Sequence, residues 1–353
     1  MDKKKEKLYG YAVRHRWFAR LWAELLYPRY RGDARLNKAI ATFADEARRK
    51  DEAYLRRLRK AMYADRLSYR VTFEEYFLFS FPLLNAAGKR SFVGDAEKAA
   101  IMKRNGTAQT QRLFDNKYET YLRFRPYFGR DVVKIASKAD RAAFDAFLDR
   151  HGDLMVKAID ESCGRGIYRV RTNEPGFSRD ALFANVLQSG ECLLEERIEQ
   201  DARMGNFHPE SVNTLRVVTF VTGEGVDILF CFLRFGQGES CVDNGGAGGI
   251  FVLVDPETGL TITEGVAEDG THFLFHPNTG LQLPGFRVPR WDEAIALSKE
   301  LALVVPEHPC VGWDLALTDG GWIVVEGNGK TMFIGPQITT GRGVRKMVEK
   351  YFS

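Results

Sequence analysis

The segment GWDLALTDGGWIVVEGN, residues 312–328, combines two β-prone runs with an acid on each run. Asp319-Gly320-Gly321 between the runs is typical of a turn, so the segment predicts a β-hairpin. A three-residue turn places Asp314 opposite Glu326, and Asn328 shares a face with Glu326 because residues i and i+2 of a strand point the same way. Opposed carboxylates repel unless a cation lies between them. Two carboxylates and an amide oxygen would suit Mg²⁺.

This interpretation of the hairpin has two alternatives. The acids could be unrelated residues on a surface hairpin. A two-residue turn would also shift the pairing by one, and the acids would then point to opposite faces of the sheet.

A second candidate for phosphate chemistry is Lys157, which is followed by the loop ESCGRG at residues 161–166. The lysine supplies positive charge, and Gly164 and Gly166, on either side of Arg165, let backbone N–H groups close over phosphate oxygens. The loop is not a Walker A motif, because no Gly-Lys-Ser/Thr follows the glycines. An ordinary glycine-rich turn is the alternative.

Two arginines lie in strand-like surroundings. Arg216 lies in an apolar run and needs an anionic partner, since an unpaired buried charge is costly. A phosphate, an acyl phosphate or a structural carboxylate would each serve. Arg234 precedes the run DNGGAGG at residues 243–249, which includes Asn244. So many glycines indicate a backbone that packs closely against a ligand.

Other patterns carry less information. The end of a strand such as LLEERI, residues 193–198, can hydrogen-bond a nucleobase through its backbone and a ribose through a carboxylate, but any strand end could look like this. His272 and His276 are predicted in strand and loop, not as a metal pair on a helix. No GxSxG motif or Cys/His signature indicates a catalytic nucleophile. Five scattered cysteines without a CxxC predict free thiols in a reducing cytoplasm.

The elements that must position these residues change along the chain. Residues 1–65 predict helices, and the aromatic run at 71–84 predicts a buried element. From about residue 110, short strands and helices alternate, and beyond residue 210 long strands dominate. This pattern predicts an α+β fold and does not suit a parallel dinucleotide-binding sheet. We expect three regions, with the following bounds: 1–105, 106–200 and 201–353.

Composition narrows the class of protein. The 353 residues are 44% apolar and 28% charged, as in soluble globular proteins, and no apolar run approaches the roughly 18 residues of a membrane span. Residues 1–70 hold 20 Lys/Arg against 9 Asp/Glu, although the whole chain carries only +4. This basic segment could face a membrane surface, an anionic substrate or a partner, or could simply be a solvated helical face. Nucleic acid is disfavoured, because no recognition motif accompanies the charge.

Taken in order, these motifs resemble the ATP-grasp superfamily over residues 110–340. Asp115-Asn116-Lys117 resembles the first nucleotide-binding lysine motif, and VKAIDESCGRGI, beginning at Val156, resembles the second lysine with its glycine loop. LLEERI resembles the strand that holds adenine and ribose. The runs HPESVNTLRVVTF, VDNGGAGGI and GWDLALT…VEGN resemble the sugar-transfer-associated group within that superfamily.

The resemblance implies an ATP-grasp fold, in which two α+β subdomains clasp ATP, with a helical, basic N-terminal region. It implies ATP and Mg²⁺ as cofactors, with the metal on Asp314, Glu326 and Asn328. Catalytic roles fall to Arg216, Lys157 and Arg234. The implied nucleotide-binding residues are Lys117, Lys157, Gly164, Arg165, Gly166, Glu195, Glu196, Ile198, Glu199 and Asn244.

The implied activity is ligation of a small-molecule carboxylate to an amine through an acyl phosphate, in the cytoplasm. A sugar- or amino-acid-derived substrate is expected, in cell-surface polysaccharide or natural-product biosynthesis. Members of the group are often linked with polysaccharide or cell-surface gene sets. Two alternatives remain open: a phosphotransferase that acts on a hydroxyl, and a non-catalytic ATP-binding regulator.

Overall fold

The computed structural model describes residues 11–159, 166–243 and 248–352. The α-helices are α1 Arg16–Tyr30, α2 Ala34–Phe43, α3 Glu52–Tyr69, α4 Phe73–Leu78, α5 Ala86–Ser91, α6 Asp95–Met102, α7 Ala108–Asp115, α8 Lys117–Phe124, α9 Arg141–Arg150, α10 Arg179–Gln188, α11 Ala202–Gly205, α12 Trp291–Val304, α13 Ile334–Thr340 and α14 Arg345–Phe352. The strands are β1 Val132–Ile135, β2 Asp153–Ala158, β3 Ile167–Arg171, β4 Cys192–Glu196, β5 Thr214–Thr222, β6 Gly225–Phe235, β7 Ile250–Val254, β8 Gly265–Ala267, β9 His272–Phe273, β10 Cys310–Thr318 and β11 Gly321–Asn328.

A helical unit contains the described residues of 1–104, 269–271 and 332–353. Within it α1 packs on α3, which starts where Asp51 accepts a hydrogen bond from the Tyr54 N–H and stops at Arg70 in the left-handed conformation (φ 58°). None of the helices among the described residues is long and apolar enough to cross a membrane.

Most aromatic side chains of the run at residues 71–84 are buried, as predicted, whereas Leu83 near its end is 86% exposed. Thr72 and Glu75 form a capping box that starts α4, because each side chain accepts a hydrogen bond from the other residue's backbone N–H. Phe79 is 1% exposed, and its ring stacks on Phe92 at 4.7 Å between centroids. The core of the helical unit therefore forms around this segment.

The second unit comprises the described residues of 105–268 and 272–331. One antiparallel sheet has the strand order β1-β4-β2-β3, and α9 and α10 cover it with the buried side chains Phe144, Phe147, Leu182 and Val186. The other sheet has the order β11-β10-β5-β6-β7-β8-β9, and it packs on α12 through a large core that includes Trp313 and Leu315. The α+β prediction is confirmed.

The predicted boundaries between regions can be compared with the boundaries of these two units. The predicted bound at residue 105 coincides with the start of the second unit, and the bound at residue 200 falls within that unit, between β4 and β5. Residues 332–353 group with the helical unit, which the sequence did not predict. The three-region division stays a prediction.

The hairpin of β10 and β11 reaches the predicted pairing by a different route. Thr318 pairs with Gly321, so the turn has two residues and the three-residue prediction was wrong. A bulge then places Leu315 opposite Val324 but Asp314 opposite Glu326, and Val325 is the extra residue. The bulge restores the opposition of the two acids that a two-residue turn alone would have lost.

Candidate active site

Asp314 and two arginines lie together on three adjacent strands. Asp314 on β10 lies opposite Arg216 on β5, and Arg234 lies on the next strand, β6. Arg216 donates from Nε to Oδ1 and from Nη2 to Oδ2, the second at 2.6 Å. Arg234 donates from Nη1 to Oδ2 at 2.8 Å. Asp314 is only 3% exposed, and two guanidinium groups balance its charge in place of solvent.

Asp314 and Glu326 differ in their electrostatic surroundings. Burial acts to raise the pKa of Asp314, but the charges of Arg216 and Arg234 outweigh it and hold that pKa below its ordinary value. Burial, followed by the negative charge of Asp314, raises the pKa of Glu326. The Glu326 carboxylate makes no hydrogen bond or ion pair with the described residues, and the charges of Lys117, Arg216 and Lys157 lower its pKa only from a distance. Its oxygens are therefore available to a further cation.

The donor set at this hairpin fits a hard divalent cation. A carboxylate has about four lone-pair sites, and the arginine N–H groups take three at Asp314, which leaves one on Oδ1. Asn328 lies beside Asp314, with Nδ2 3.4 Å from Oδ2. Nowhere in the described ranges do three His, Cys, Asp or Glu side chains form a metal-holding group. The candidate set therefore depends on the Asn328 amide as its third ligand.

Arg234 joins Asp314 to another buried carboxylate. Its Nη2 donates to Asp243 Oδ1 at 2.9 Å, and Asp243 Oδ2 accepts from the Thr214 backbone N–H at 3.0 Å and from its hydroxyl. Burial, with the charge of Asp314, raises the pKa of Asp243, although Arg234 opposes that shift. The linked ion pairs Arg216–Asp314, Asp314–Arg234 and Arg234–Asp243 hold both guanidinium groups in place.

Lys157 lies on the four-stranded sheet, where an acid and a second cation hold it in place. Lys157 on β2 donates from Nζ to Glu195 Oε2 on β4 at 2.8 Å, and Arg130 donates to the same oxygen from Nε and Nη2 at 2.9 and 2.7 Å. Burial acts against the charged form, but Arg130 and Lys157 lower the pKa of Glu195 to about 2. Glu195 is therefore anionic at neutral pH and holds Lys157 in place.

Arg130 also contacts the bulge in β11. Its Nη1 donates to the Val324 carbonyl at 2.6 Å, and its Nη2 to the Val325 carbonyl at 3.3 Å. The guanidinium is nearly inaccessible, because the Arg130 side chain is 2% exposed. One residue thus connects the strand of Glu195 to the segment that sets the position of Glu326.

Lys117 is the first residue of α8. Asn116 caps that helix, because its Oδ1 accepts from the Tyr118 and Glu119 N–H groups, each at 3.0 Å. Lys117 Nζ donates to the carbonyls of Ala158 and Ile159 at 3.0 and 3.2 Å. Its ammonium group therefore lies at the end of β2, directly before the glycine loop.

The other predicted nucleotide residues occupy different surroundings. Glu196 Oε2 accepts from the Asp131 N–H at 3.0 Å, Ile198 is buried and Glu199 is exposed. Gly166 adopts φ 66°, a conformation that favours glycine. Gly164, Arg165 and Asn244 lie outside the described residues.

One cleft of the second unit brings most of the predicted site together. The predicted site residues that line it are Lys117, Lys157, Glu195, Glu196, Ile198, Arg234, Asp314 and Glu326. Arg216 and Asn328 contact Asp314 without lining the cleft, and neither Gly166 nor Glu199 lines it. Lys117 from α8, Lys157 from the four-stranded sheet, and Asp314 and Glu326 from the seven-stranded sheet thus line one cleft.

The sequence did not identify several charged cleft residues, among them Arg130, Arg169 and Asp243. Arg130 and Arg169 line the cleft, but each is an isolated arginine with no motif around it. Asp243 also lines it, and its place at the head of the glycine run was the one available signal.

Comparison with known proteins gives the following similarities. A family described as sugar-transfer associated ATP-grasp matches residues 111–351. A curated glutathione synthetase from Xanthomonas campestris pv. campestris is 27% identical over 164 residues, which are 45% of this chain and 46% of the relative. This chain therefore matches about half the length of that relative.

Solved structures are similar at a lower level. The D-alanyl-alanine synthetase A of Vibrio cholerae has a TM-score of 0.40 and 14% identity, over 68% of this chain and 61% of that one. The N5-carboxyaminoimidazole synthase of Aspergillus clavatus, in complex with ADP and a ribonucleotide, has a TM-score of 0.41 and 12% identity, over 69% and 52%. Both likenesses are weak, so the family rests on the matched residues 111–351.

Proposed function

Because the chain belongs to the sugar-transfer associated ATP-grasp family, we propose that it is an ATP- and Mg²⁺-dependent ligase that joins a carboxylate to an amine. The observation that carries this proposal is that Lys117 and Lys157 line the same cleft as Asp314 and Glu326. Phosphoryl transfer needs positive charge on the phosphates and a metal at the transferred group, and little covalent chemistry from the protein. The similarity to a protein named glutathione synthetase supports a ligase outcome.

The nucleotide would lie on the side of the cleft that carries Lys117 and Lys157. Lys117 and Lys157 would hold its phosphates, and the loop with Gly164, Arg165 and Gly166 would close over them. The backbone at Ile198 would meet the adenine, and Glu196 would meet the ribose. Glu195 is committed to Arg130 and Lys157, so its role would be to position the lysine.

The metal would be held by Asp314, Glu326 and Asn328, where it would supply charge neutralisation at the transferred phosphoryl group. Arg234, which lines the cleft and is oriented by Asp314, would stabilise negative charge on the acyl phosphate, and Arg216 would support it by holding Asp314. An oxygen of the carboxylate substrate would attack the γ-phosphorus, and ADP would leave. The amine nitrogen would then attack the acyl carbon, lose a proton and release inorganic phosphate.

Product analysis tests this proposal. The purified chain would be incubated with Mg·ATP and a panel of amino acids and sugar acids, each with and without an amine. We expect ADP and phosphate in equal amounts only when both substrates are present, and a hydroxamate when hydroxylamine replaces the amine. A stable phosphoester formed with an alcohol would establish the phosphotransferase instead, and ATP binding without turnover on any pair would favour the regulator.

A further inference from the structure

Helix α1 carries an exposed apolar ridge. Trp17, Leu21 and Leu25 are 60%, 48% and 62% exposed and are spaced four residues apart, so they lie along one face of the helix. The opposite face packs inward through Ala19, Ala23 and Tyr30. Trp and Leu side chains that face solvent in a row lose the stabilisation that burial gives. This ridge therefore fits a surface that can cover it.

Positive charge borders the ridge. Arg20 and Arg29 are exposed on α1, on either side of the face that carries Leu21 and Leu25. A groove beside Leu21 is lined by four cations and two acids: Arg16, Arg20, Lys60, Lys89, Glu24 and Asp65. Two ion pairs, Lys60–Glu24 and Lys89–Asp65, neutralise both acids, so the groove keeps an excess of two positive charges.

We propose that α1 binds the surface of a membrane that contains anionic lipids, with Trp17, Leu21 and Leu25 inserted at the boundary between headgroups and acyl chains. An interfacial helix of this kind combines Trp and Leu on one face with Arg or Lys at its borders. The arginines would contact lipid phosphates, to which the basic charge of residues 1–70 would also be attracted.

A lipid surface fits this ridge better than a protein partner does. The ridge is one side chain wide, whereas a stable protein interface covers roughly 800 Å² on each partner. A bilayer accepts a narrow ridge without a matching groove, because lipids rearrange around inserted side chains. The proposal concerns the helical unit and does not depend on the proposed ligase activity.

Vesicle sedimentation tests the proposal with the full chain. Phosphatidylcholine vesicles would be compared with vesicles that contain 30% phosphatidylglycerol, in low and high salt. We expect at least about tenfold stronger binding to the anionic vesicles at low salt, with most of that preference lost at high salt because the attraction is screened. The double variant Trp17→Ser/Leu25→Ser should lose binding by at least about tenfold and keep its circular dichroism spectrum. A second double variant, Arg20→Gln/Arg29→Gln, should weaken the preference for anionic vesicles, while the remaining basic charge of residues 1–70 keeps part of it.

The control is Leu303→Ser, which changes a leucine that is 57% exposed on α12 and should bind vesicles as wild type does. ATP-analogue binding by the Trp17/Leu25 variant should equal that of wild type. The proposal is overturned if wild type does not sediment with anionic vesicles, or if the Trp17/Leu25 variant and the control bind equally. It is also overturned if wild type forms a dimer that this variant abolishes, since the ridge would then bind a second copy.

Discussion

At the residue scale, Asp314 and Glu326 face each other but occupy different states. Asp314 accepts three guanidinium hydrogen bonds and is needed to neutralise two buried arginines. The Glu326 carboxyl group has a raised pKa, and its oxygens make no hydrogen bond or ion pair with the described residues. The two acids should therefore respond differently when each is replaced by its amide.

Glu326→Gln should reduce ATP turnover by at least about 100-fold, because the amide keeps the shape of the side chain but removes the charge that would hold the metal. The melting temperature should stay equal or rise, since the variant loses a half-buried carboxylate that has no ion-pair partner among the described residues and lies beside the negative charge of Asp314. Steady-state ADP release and thermal unfolding measure the two effects. Asp319→Asn, an exposed acid in the turn of the same hairpin, is the control and should keep full activity.

Asp314→Asn should instead destabilise the fold by about 3–5 kcal/mol, because it leaves Arg216 and Arg234 buried without their common anion. Urea unfolding of this variant beside Glu326→Gln provides the measurement. Equal stability of the two variants would contradict the assignment of Asp314 as the counter-ion of both arginines.

At the element scale, the bulge in β11 decides which residue faces Asp314. The sequence correctly predicts the hairpin and the pairing of Asp314 with Glu326, but it attributes the pairing to the turn. No local pattern marks Val325 as an extra residue, because its carbonyl is held by Arg130, which lies almost 200 residues earlier in the chain. Such a contact forms only in the tertiary structure, so the spacing of neighbouring residues does not reveal it.

Arg130→Gln should lower the free energy of unfolding by about 3–5 kcal/mol, because it leaves Glu195 with one cation and removes donors from the Val324 and Val325 carbonyls. Arg130→Lys should lose less, since it keeps the charge but not the planar fork. Arg203→Gln is the matched control, because its ion pair with Asp201 is 57% exposed at the arginine and should contribute under about 1 kcal/mol. A loss for Arg130→Gln no larger than that of the control would argue against the bridging role.

At the scale of the whole molecule, the helical unit contains a carboxyl group that opposes its stability at neutral pH. Glu75 is 4% exposed and accepts backbone hydrogen bonds from Thr72 and Asp95, which start α4 and α6. Burial raises the pKa of Glu75 from 4.5 to about 7 in spite of these bonds. The folded state therefore binds its proton more tightly than the unfolded chain does.

This shift predicts a pH dependence. The Glu75 contribution is fully present below pH 4.5 and is lost as the pH rises through about 7, up to a total of about 3 kcal/mol. Glu75→Gln lacks this titration, so its stability relative to wild type should increase between pH 4.5 and pH 7 and stay constant above. Chemical unfolding of both proteins across this range measures the difference. A stability difference that does not change with pH would contradict the raised pKa.

The strands of the second unit and the helical character of the N-terminal region could be predicted from the sequence, whereas the grouping of residues 332–353 with the N-terminal helices could not. Long β-prone apolar runs such as Thr214–Thr222 and Gly225–Phe235 identify strands locally. The grouping of residues 332–353 with the first helices depends on contacts such as the two hydrogen bonds between Gln337 and Val93, which no local pattern indicates. Arg130 escaped prediction for the same reason.

In the proposed function, the cleft binds Mg·ATP through Lys157 on one side and Glu326 on the other. Titration calorimetry with a non-hydrolysable ATP analogue, with and without Mg²⁺, tests it on wild type, Lys157→Ala, Glu326→Gln and the control Asp319→Asn. We predict Mg²⁺-dependent binding by wild type and the control, at least about tenfold weaker binding by Lys157→Ala, and loss of the Mg²⁺ dependence in Glu326→Gln. Absence of binding by wild type, or equal Mg²⁺-dependent affinity in all four proteins, would contradict the proposed Mg·ATP site.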